Sequence, residues 1–132
     1  MLAHPERSPL LQKDPELLRR FVESGMVTSV TAGAFLGRFG STVKRFALWM
    51  LEEDLVHNVA SDAHNADRRP PGLREALAAG EAELPGFAER AEWLTLSVPR
   101  AILDGGPIPP APGPVPAPRR RRGLLRRAAR QR

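Results

Sequence analysis

Cysteine is absent from the 132-residue chain, long apolar runs are missing, and lysine occurs only as Lys13 and Lys44. Without cysteine the chain forms neither disulfides nor thiolate metal sites, and a phosphatase mechanism with a cysteine nucleophile is excluded. No stretch approaches the ~20 apolar residues of a membrane span. The N-terminus also lacks the basic and then apolar segments of a secretory signal. We therefore expect a cytoplasmic protein.

Charge is distributed unevenly along the chain. Residues 119–132 contain eight arginines and no acidic residue, whereas residues 1–118 carry twelve basic and fifteen acidic side chains, a formal charge of −3. Residues 105–118 are proline-rich and predict an extended linker, and the arginine-rich tail at 119–132 is predicted to be disordered. The tail suits nucleic acid or acidic lipid headgroups, but an inert solubilising role explains its composition at least as well.

The apolar pattern before the linker alternates between short strands and helices. We predict strands at residues 2–4, 26–31 and 55–61, a turn-rich loop at the glycines of residues 33–40, and an irregular loop at residues 62–72. We predict helices from the Asp14 cap to Gly25, from a Ser41 cap to Asp54, and at residues 73–82, 85–96 and 99–103. This order is typical of parallel βα units, and therefore of an α/β fold.

The most informative motif is the Asp-x-His at residues 62–64, directly after the third predicted strand. Alternate residues of a strand point the same way, so a carboxylate and an imidazole meet on one side, which suits a divalent metal. Asp62 and His64 are therefore candidate ligands, although an aspartate there can equally cap a turn. His57, inside the same apolar strand, is predicted to be a hydrogen-bonded core histidine.

A second candidate segment is His4-Pro5-Glu6-Arg7, which follows the first predicted strand. Taken alone, His4 is best interpreted as an exposed terminal residue without a functional role. The guanidinium groups of Arg7 and Arg69 have a fork geometry that suits phosphate oxygens. The alternative interpretation is that both are solvated surface charges. Glu6 fits a carboxylate that orients a ligand, and a surface salt bridge is the interpretation we prefer from sequence.

Three ordered motifs together resemble a known family. They are His4-Pro5-Glu6-Arg7, the stretch Val30 to Gly40, and Ala60 to Asn65 followed by Arg69-Pro70-Pro71. In these residues the chain is similar to the manganese-dependent bacterial tyrosine phosphatases of capsule and exopolysaccharide loci, the CpsB/CapC/YwqE type of the polymerase and histidinol phosphatase (PHP) superfamily. The resemblance extends from residue 1 to about Leu103.

The resemblance implies a distorted βα barrel with a metal cluster at the carboxyl ends of its strands. It implies that His4, Asp62 and His64 bind a divalent metal, manganese in this family, and that Arg7 and Arg69 are catalytic and hold the phosphoryl oxygens. The implied substrate is a phosphotyrosine protein, a tyrosine kinase that controls polysaccharide export.

The chain departs from the family because the first His-x-His strand and other ligand-bearing strands are not found in it. We expect residues 1–104 to be the C-terminal part of a PHP-type domain, N-terminally truncated and inactive alone, and its open edges predict self-association into a homo-oligomer. Two alternatives stay open. One is a non-enzymatic remnant or accessory module that binds a partner or anions through its tail, and the other is a phosphatase of a small phosphate ester.

Overall fold

Three short parallel strands form the centre of the fold in the computed structural model, which describes residues 1–114. The sheet order is β1 (Leu2–Ala3), β2 (Thr28–Thr31) and β3 (Asn58–Ala60), and Val30 lies opposite Val59 in the register between β2 and β3. All three predicted strands are present, although each is shorter than predicted. Within the described residues, β1 and β3 each pair with β2 on one side only.

The helices alternate with the strands, as the predicted βα order requires. They are α1 (Pro9–Lys13), α2 (Pro15–Glu23), α3 (Ala32–Phe35), α4 (Ser41–Glu52), α5 (Leu73–Glu83) and α6 (Val98–Leu103), with 3-10 turns at Pro5–Arg7 and Ala88–Arg90 and a π-helix at Trp93–Ser97. The predicted Asp14 cap is confirmed, because its Oδ1 accepts a hydrogen bond of 3.2 Å from the backbone N–H of Leu17. A mixed α/β fold with a small parallel sheet results.

Two predictions of local structure are wrong. Helix α4 begins at Ser41, but its N-cap is Gly40, whose φ of 91° is a left-handed conformation that favours glycine. The helix predicted at residues 85–96 begins only at Ala88, as a 3-10 turn, and continues through the π-helix Trp93–Ser97 into α6. Gly86 adopts a φ of 97°, and the Glu81 carboxylate accepts the backbone N–H groups of Gly86 and Ala88 in place of a helical carbonyl.

The core lies between the sheet and the helices that follow it. Phe35 and Phe87 are fully buried with ring centroids 5.2 Å apart, and they join α3 to the segment after α5. Gly80 of α5 is buried against the ring of Phe87. His57 is hydrogen-bonded, as predicted, because its Nδ1 accepts the backbone N–H of Thr28 at 3.2 Å. It is half-buried and precedes β3, whereas the prediction placed it in the core inside the strand, and burial lowers its pKa.

The C-terminal part of the described chain returns to the core after α6. The indole N–H of Trp93 donates to the carbonyl oxygen of Pro109 at 2.8 Å. The predicted linker at 105–118 extends past residue 114, and the predicted tail at 119–132 lies outside the described residues, so these boundaries stay predictions. No helix among residues 1–114 is both long and apolar enough to cross a membrane.

Candidate active site

A tight turn after β1 presents the first group of candidate residues. His4 has a φ of 38°, a left-handed backbone conformation, and its N–H donates to the carbonyl of Ser29 at 2.7 Å. This bond continues the ladder between β1 and β2, and the 3-10 turn Pro5–Arg7 follows at once. The exposed His4 side chain and Arg7 therefore lie at the carboxyl end of β1, where sites of parallel βα folds collect.

Glu6 anchors this turn to the neighbouring strand. Its side chain is fully buried, and its Oε1 accepts the backbone N–H of Thr31 at 3.0 Å. Burial raises the pKa of the Glu6 carboxyl, and the hydrogen bonds from Thr31 oppose that shift. The surface salt bridge preferred from sequence is therefore wrong, because the carboxylate faces the end of β2 and is closed off from water.

The loop after β3 presents the second group. Asp62 also adopts a left-handed conformation, with a φ of 50°. The side-chain oxygen of Asn65 accepts the backbone N–H groups of residues 67, 68 and 69 at 3.2, 2.7 and 3.0 Å. This set of bonds closes the loop and returns Arg69 towards Asp62. The irregular loop predicted between Asp62 and Gly72 is confirmed.

Four of the five predicted site residues contact one another. Oδ2 of Asp62 accepts a hydrogen bond from Arg69 and lies 3.7 Å from a guanidinium nitrogen of Arg7. Arg69 also donates to Nε2 of His64 at 3.1 Å. His4 is the fifth predicted residue, and it lines a separate cleft with Arg7 and Leu11. The two motifs, which are about 55 residues apart in sequence, therefore meet through Arg7 and Asp62.

The contacts of His64 assign its tautomer. Arginine only donates, so Nε2 accepts, and Nδ1 then carries the proton and donates to the carbonyl oxygen of Asp62 at 2.8 Å. Nε2 thus carries the lone pair that a metal would need, and that lone pair accepts from Arg69 in this structure. Residues 1–114 contain no cluster of three or more histidine, aspartate and glutamate side chains that could hold a metal ion. The roles of His4, Asp62 and His64 as ligands stay a prediction.

A shallow cleft of about 170 Å³ opens beside this cluster. Its walls include Arg38 and Phe39, which the sequence did not single out as site residues. The Phe39 ring centre lies 4.5 Å from the guanidinium carbon of Arg7, a cation–π contact. A Cβ at position 33 would come within 3.0 Å of the Phe39 ring, so Gly33 allows the ring to take this place. The glycine-rich spacing of residues 33–40 was the signal for such a close approach.

The arrangement is suited to bind an anion next to a metal-type donor pair. Two arginines share one carboxylate oxygen, so each has donors left for a further oxyanion. An aspartate and a histidine, the donors that divalent first-row metals accept, stand beside them. The fold and this site define an α/β protein with a cluster of arginine, aspartate and histidine side chains at the carboxyl ends of parallel strands.

Comparison with known proteins agrees with that class. The sequence model of the CpsB/CapC family of capsular polysaccharide synthesis matches residues 1–103, so the chain belongs to this family. It is 43% identical to the tyrosine-protein phosphatase YwqE of Bacillus subtilis over 77 residues, which are 58% of this chain and 30% of YwqE. It is 32% identical to the putative tyrosine-protein phosphatase CapC of Staphylococcus aureus over 92 residues, 70% of this chain and 35% of CapC.

A solved structure gives the same result for the fold. It comes from work on YwqE of Bacillus subtilis and CpsB of Streptococcus pneumoniae, which are described there as metal-dependent tyrosine phosphatases. The superposition has a TM-score of 0.72 and 37% identity, and covers 89% of this chain and 46% of that one. The chain thus spans about a third of the length of the curated relatives it matches, and just under half of the solved chain.

Proposed function

We propose that this chain contributes to a metal-dependent phosphotyrosine-protein phosphatase that acts in capsule and exopolysaccharide synthesis. The observation that supports the proposal best is the Arg7–Asp62–Arg69 cluster, which joins two distant motifs at the carboxyl ends of the strands. The relatives named tyrosine-protein phosphatases supply the reaction class. The segment described here would provide the phosphate-binding arginines and part of the metal site.

Arg7 and Arg69 are the catalytic residues of this proposal. Their guanidinium groups already converge on one carboxylate oxygen, and the donors that Asp62 leaves free suit the equatorial oxygens of a phosphoryl group. Because the ring of Phe39 lies against Arg7, that side chain is held in place before a ligand arrives. Donors aimed at the phosphoryl oxygens stabilise the charge that develops in the transition state.

The donor types of these residues fit a divalent metal, but the cluster has fewer than three ligands among residues 1–114. Nδ1 of His64 lies 3.9 Å from Oδ1 of Asp62, so the two side chains are neighbours and present a carboxylate and an imidazole. His4 would be a third ligand, and the others would come from parts of the family fold that this chain does not cover. A bound metal, manganese in our proposal, supplies Lewis acidity and lowers the pKa of a bound water.

Further parts of the proposal concern the complete enzyme. Its substrate would be the phosphotyrosine of a kinase that controls polysaccharide export, and the βα units seen here would belong to a distorted barrel. The cytoplasmic location and the homo-oligomer expected from sequence stay predictions as well. The substrate rests on the family, and the barrel rests on the family and on the small parallel sheet of residues 1–114.

The test is a chimera built on the solved relative. The segment of that phosphatase that superposes on this chain is replaced by residues 1–103, and hydrolysis of a phosphotyrosine peptide is measured with and without added manganese. We expect manganese-dependent turnover, because the replaced segment would bring Arg7, Arg69, Asp62 and His64 to the site. Arg69→Gln in the chimera should lower kcat/KM by on the order of a hundredfold or more, the scale for removing one transition-state donor.

The matched control is Arg74→Gln, which removes an exposed arginine on α5 and should leave turnover unchanged. Circular dichroism and size-exclusion chromatography establish that each chimera is folded. A folded chimera that shows no turnover, beside an active parent enzyme, would contradict the proposal. Equal losses in the Arg69→Gln and Arg74→Gln variants would contradict the role of Arg69.

A further inference from the structure

A proline-rich segment, residues 107–112, lies against the core at a place that the candidate active site does not use. Ile108 and Ala111 pack against the buried core cluster, whereas most of the other residues of the segment are exposed. The carbonyl of Pro109 accepts the indole N–H of Trp93 at 2.8 Å. The segment is thus bound by two apolar contacts and one hydrogen bond.

The spacing of these contacts is that of a polyproline II helix. This helix has three residues per turn, so residues three apart, such as Ile108 and Ala111, face the same side. Proline fixes φ near the value that this conformation needs, and it loses little entropy when the segment is bound. An aromatic surface that donates an indole N–H to a carbonyl of an extended proline-rich segment is a general mode of peptide recognition.

The surface that receives the segment is almost fully buried when the segment is in place. Trp93 is only 8% exposed, it belongs to the π-helix Trp93–Ser97, and its ring centre lies 6.4 Å from that of His57. Because the segment buries the indole N–H, any occupant of this surface must offer it an acceptor, as the carbonyl of Pro109 does here. His57 precedes β3 and Asp62 follows it, so the surface and the candidate active site lie at opposite ends of that strand.

We propose that Trp93 and the core residues behind it form a recognition surface for an extended proline-rich segment, which we call the Trp93 surface. Its ligand carries an apolar residue and a small residue three positions later. A backbone carbonyl between those two residues accepts the indole N–H. In this chain residues 107–112 are the occupant. The surface therefore fixes the start of the chain's C-terminal extension beside Glu89, whose carboxylate oxygen would be 3.2 Å from a Cβ at Gly113.

The test uses the full chain with Trp49→Phe, which leaves Trp93 as the only tryptophan. Ile108→Asp places a charge on the buried face of the segment and should release it. We expect the emission of Trp93 to shift to longer wavelength and acrylamide quenching to increase several-fold. Pro112→Ala, at an exposed position of the same segment, is the matched control and should change neither. Ile108→Ala, a milder change, should give an intermediate effect if Ile108→Asp prevents folding.

A second measurement tests recognition itself. A hexapeptide with the sequence of residues 107–112 is added to the Ile108→Asp chain at ~1–10 mM, the range of effective concentration that a short tether provides. It should restore the original emission and lower the quenching, and the same peptide with aspartate in place of isoleucine should not. An unchanged emission in both Ile108 variants, an equal shift in Pro112→Ala, or no response to the peptide would each overturn the proposal.

Discussion

Replacement of Gly80 by alanine should destabilise the fold strongly, in contrast to most glycine-to-alanine changes within helices. A Cβ at this position would lie 2.0 Å from the Phe87 ring, whereas carbon atoms in contact are separated by about 3.5–4.0 Å. The ring cannot move aside easily, because Phe87 is fully buried and packs against Phe35. Overpacking costs about 3 kcal/mol or more here, and the better helix propensity of alanine returns about 1 kcal/mol.

The expected net loss is therefore about 2 kcal/mol of unfolding free energy. In a domain of this size that corresponds to a fall in Tm of about 10 °C, which thermal melts followed by circular dichroism resolve and urea titration checks. Gly106→Ala is the matched control, since its Cβ would meet only the carbonyl of Ala101 at 3.9 Å. A Gly80→Ala protein as stable as wild type would refute the packing described for α5 and Phe87.

Three further predictions concern titration and the arginine at the site. Burial raises the pKa of Glu6 in the folded state, so its stabilising contribution is present at low pH and is lost as pH rises through that raised pKa. Wild type should therefore lose stability relative to Glu6→Gln as pH rises above 4.5 in urea titrations, and a constant difference would count against this. Burial lowers the pKa of His57, so wild type should lose stability as pH falls below about 6.5, and His57→Asn should flatten that slope. A double-mutant cycle of Phe39→Leu and Arg7→Ala should give a coupling free energy of about 0.5–1 kcal/mol, and zero coupling would exclude the cation–π contact.

The parts of the fold that were predictable are those with local causes. The Asp14 cap, the strand before Asp62 and the irregular loop with Pro70 depend on residues close together in sequence, and each was found. The contact between the two site motifs was expected only from the family resemblance. Topology explains it, because β1 and β3 flank β2 in a parallel sheet and their carboxyl ends lie at the same edge.

The parts that were missed depend on distant partners. Glu6 has charged and polar residues such as Arg7 close to it in sequence. The backbone N–H of Thr31, 25 residues away, donates to its carboxylate, and burial follows from that contact. Phe39 was assigned to a turn-rich loop, and nothing local indicated that Arg7 would lie against its ring. The late start of the helix predicted at residues 85–96 likewise depends on the carboxylate of Glu81, which accepts the N–H groups of Gly86 and Ala88 from the preceding helix.

The sheet order has a consequence for how copies of this chain would meet. Among residues 1–114 the two open edges belong to different strands, β1 and β3, and in a parallel sheet they are not equivalent. A continued parallel sheet across two copies would place β3 of one against β1 of the next, a head-to-tail contact. Such a contact repeats the same open edge after each addition, so it leads to chains of unlimited length unless a rotation closes a ring. Every such contact needs one β1 edge and one β3 edge. A single charged residue on either edge would therefore stop growth at both ends of the assembly.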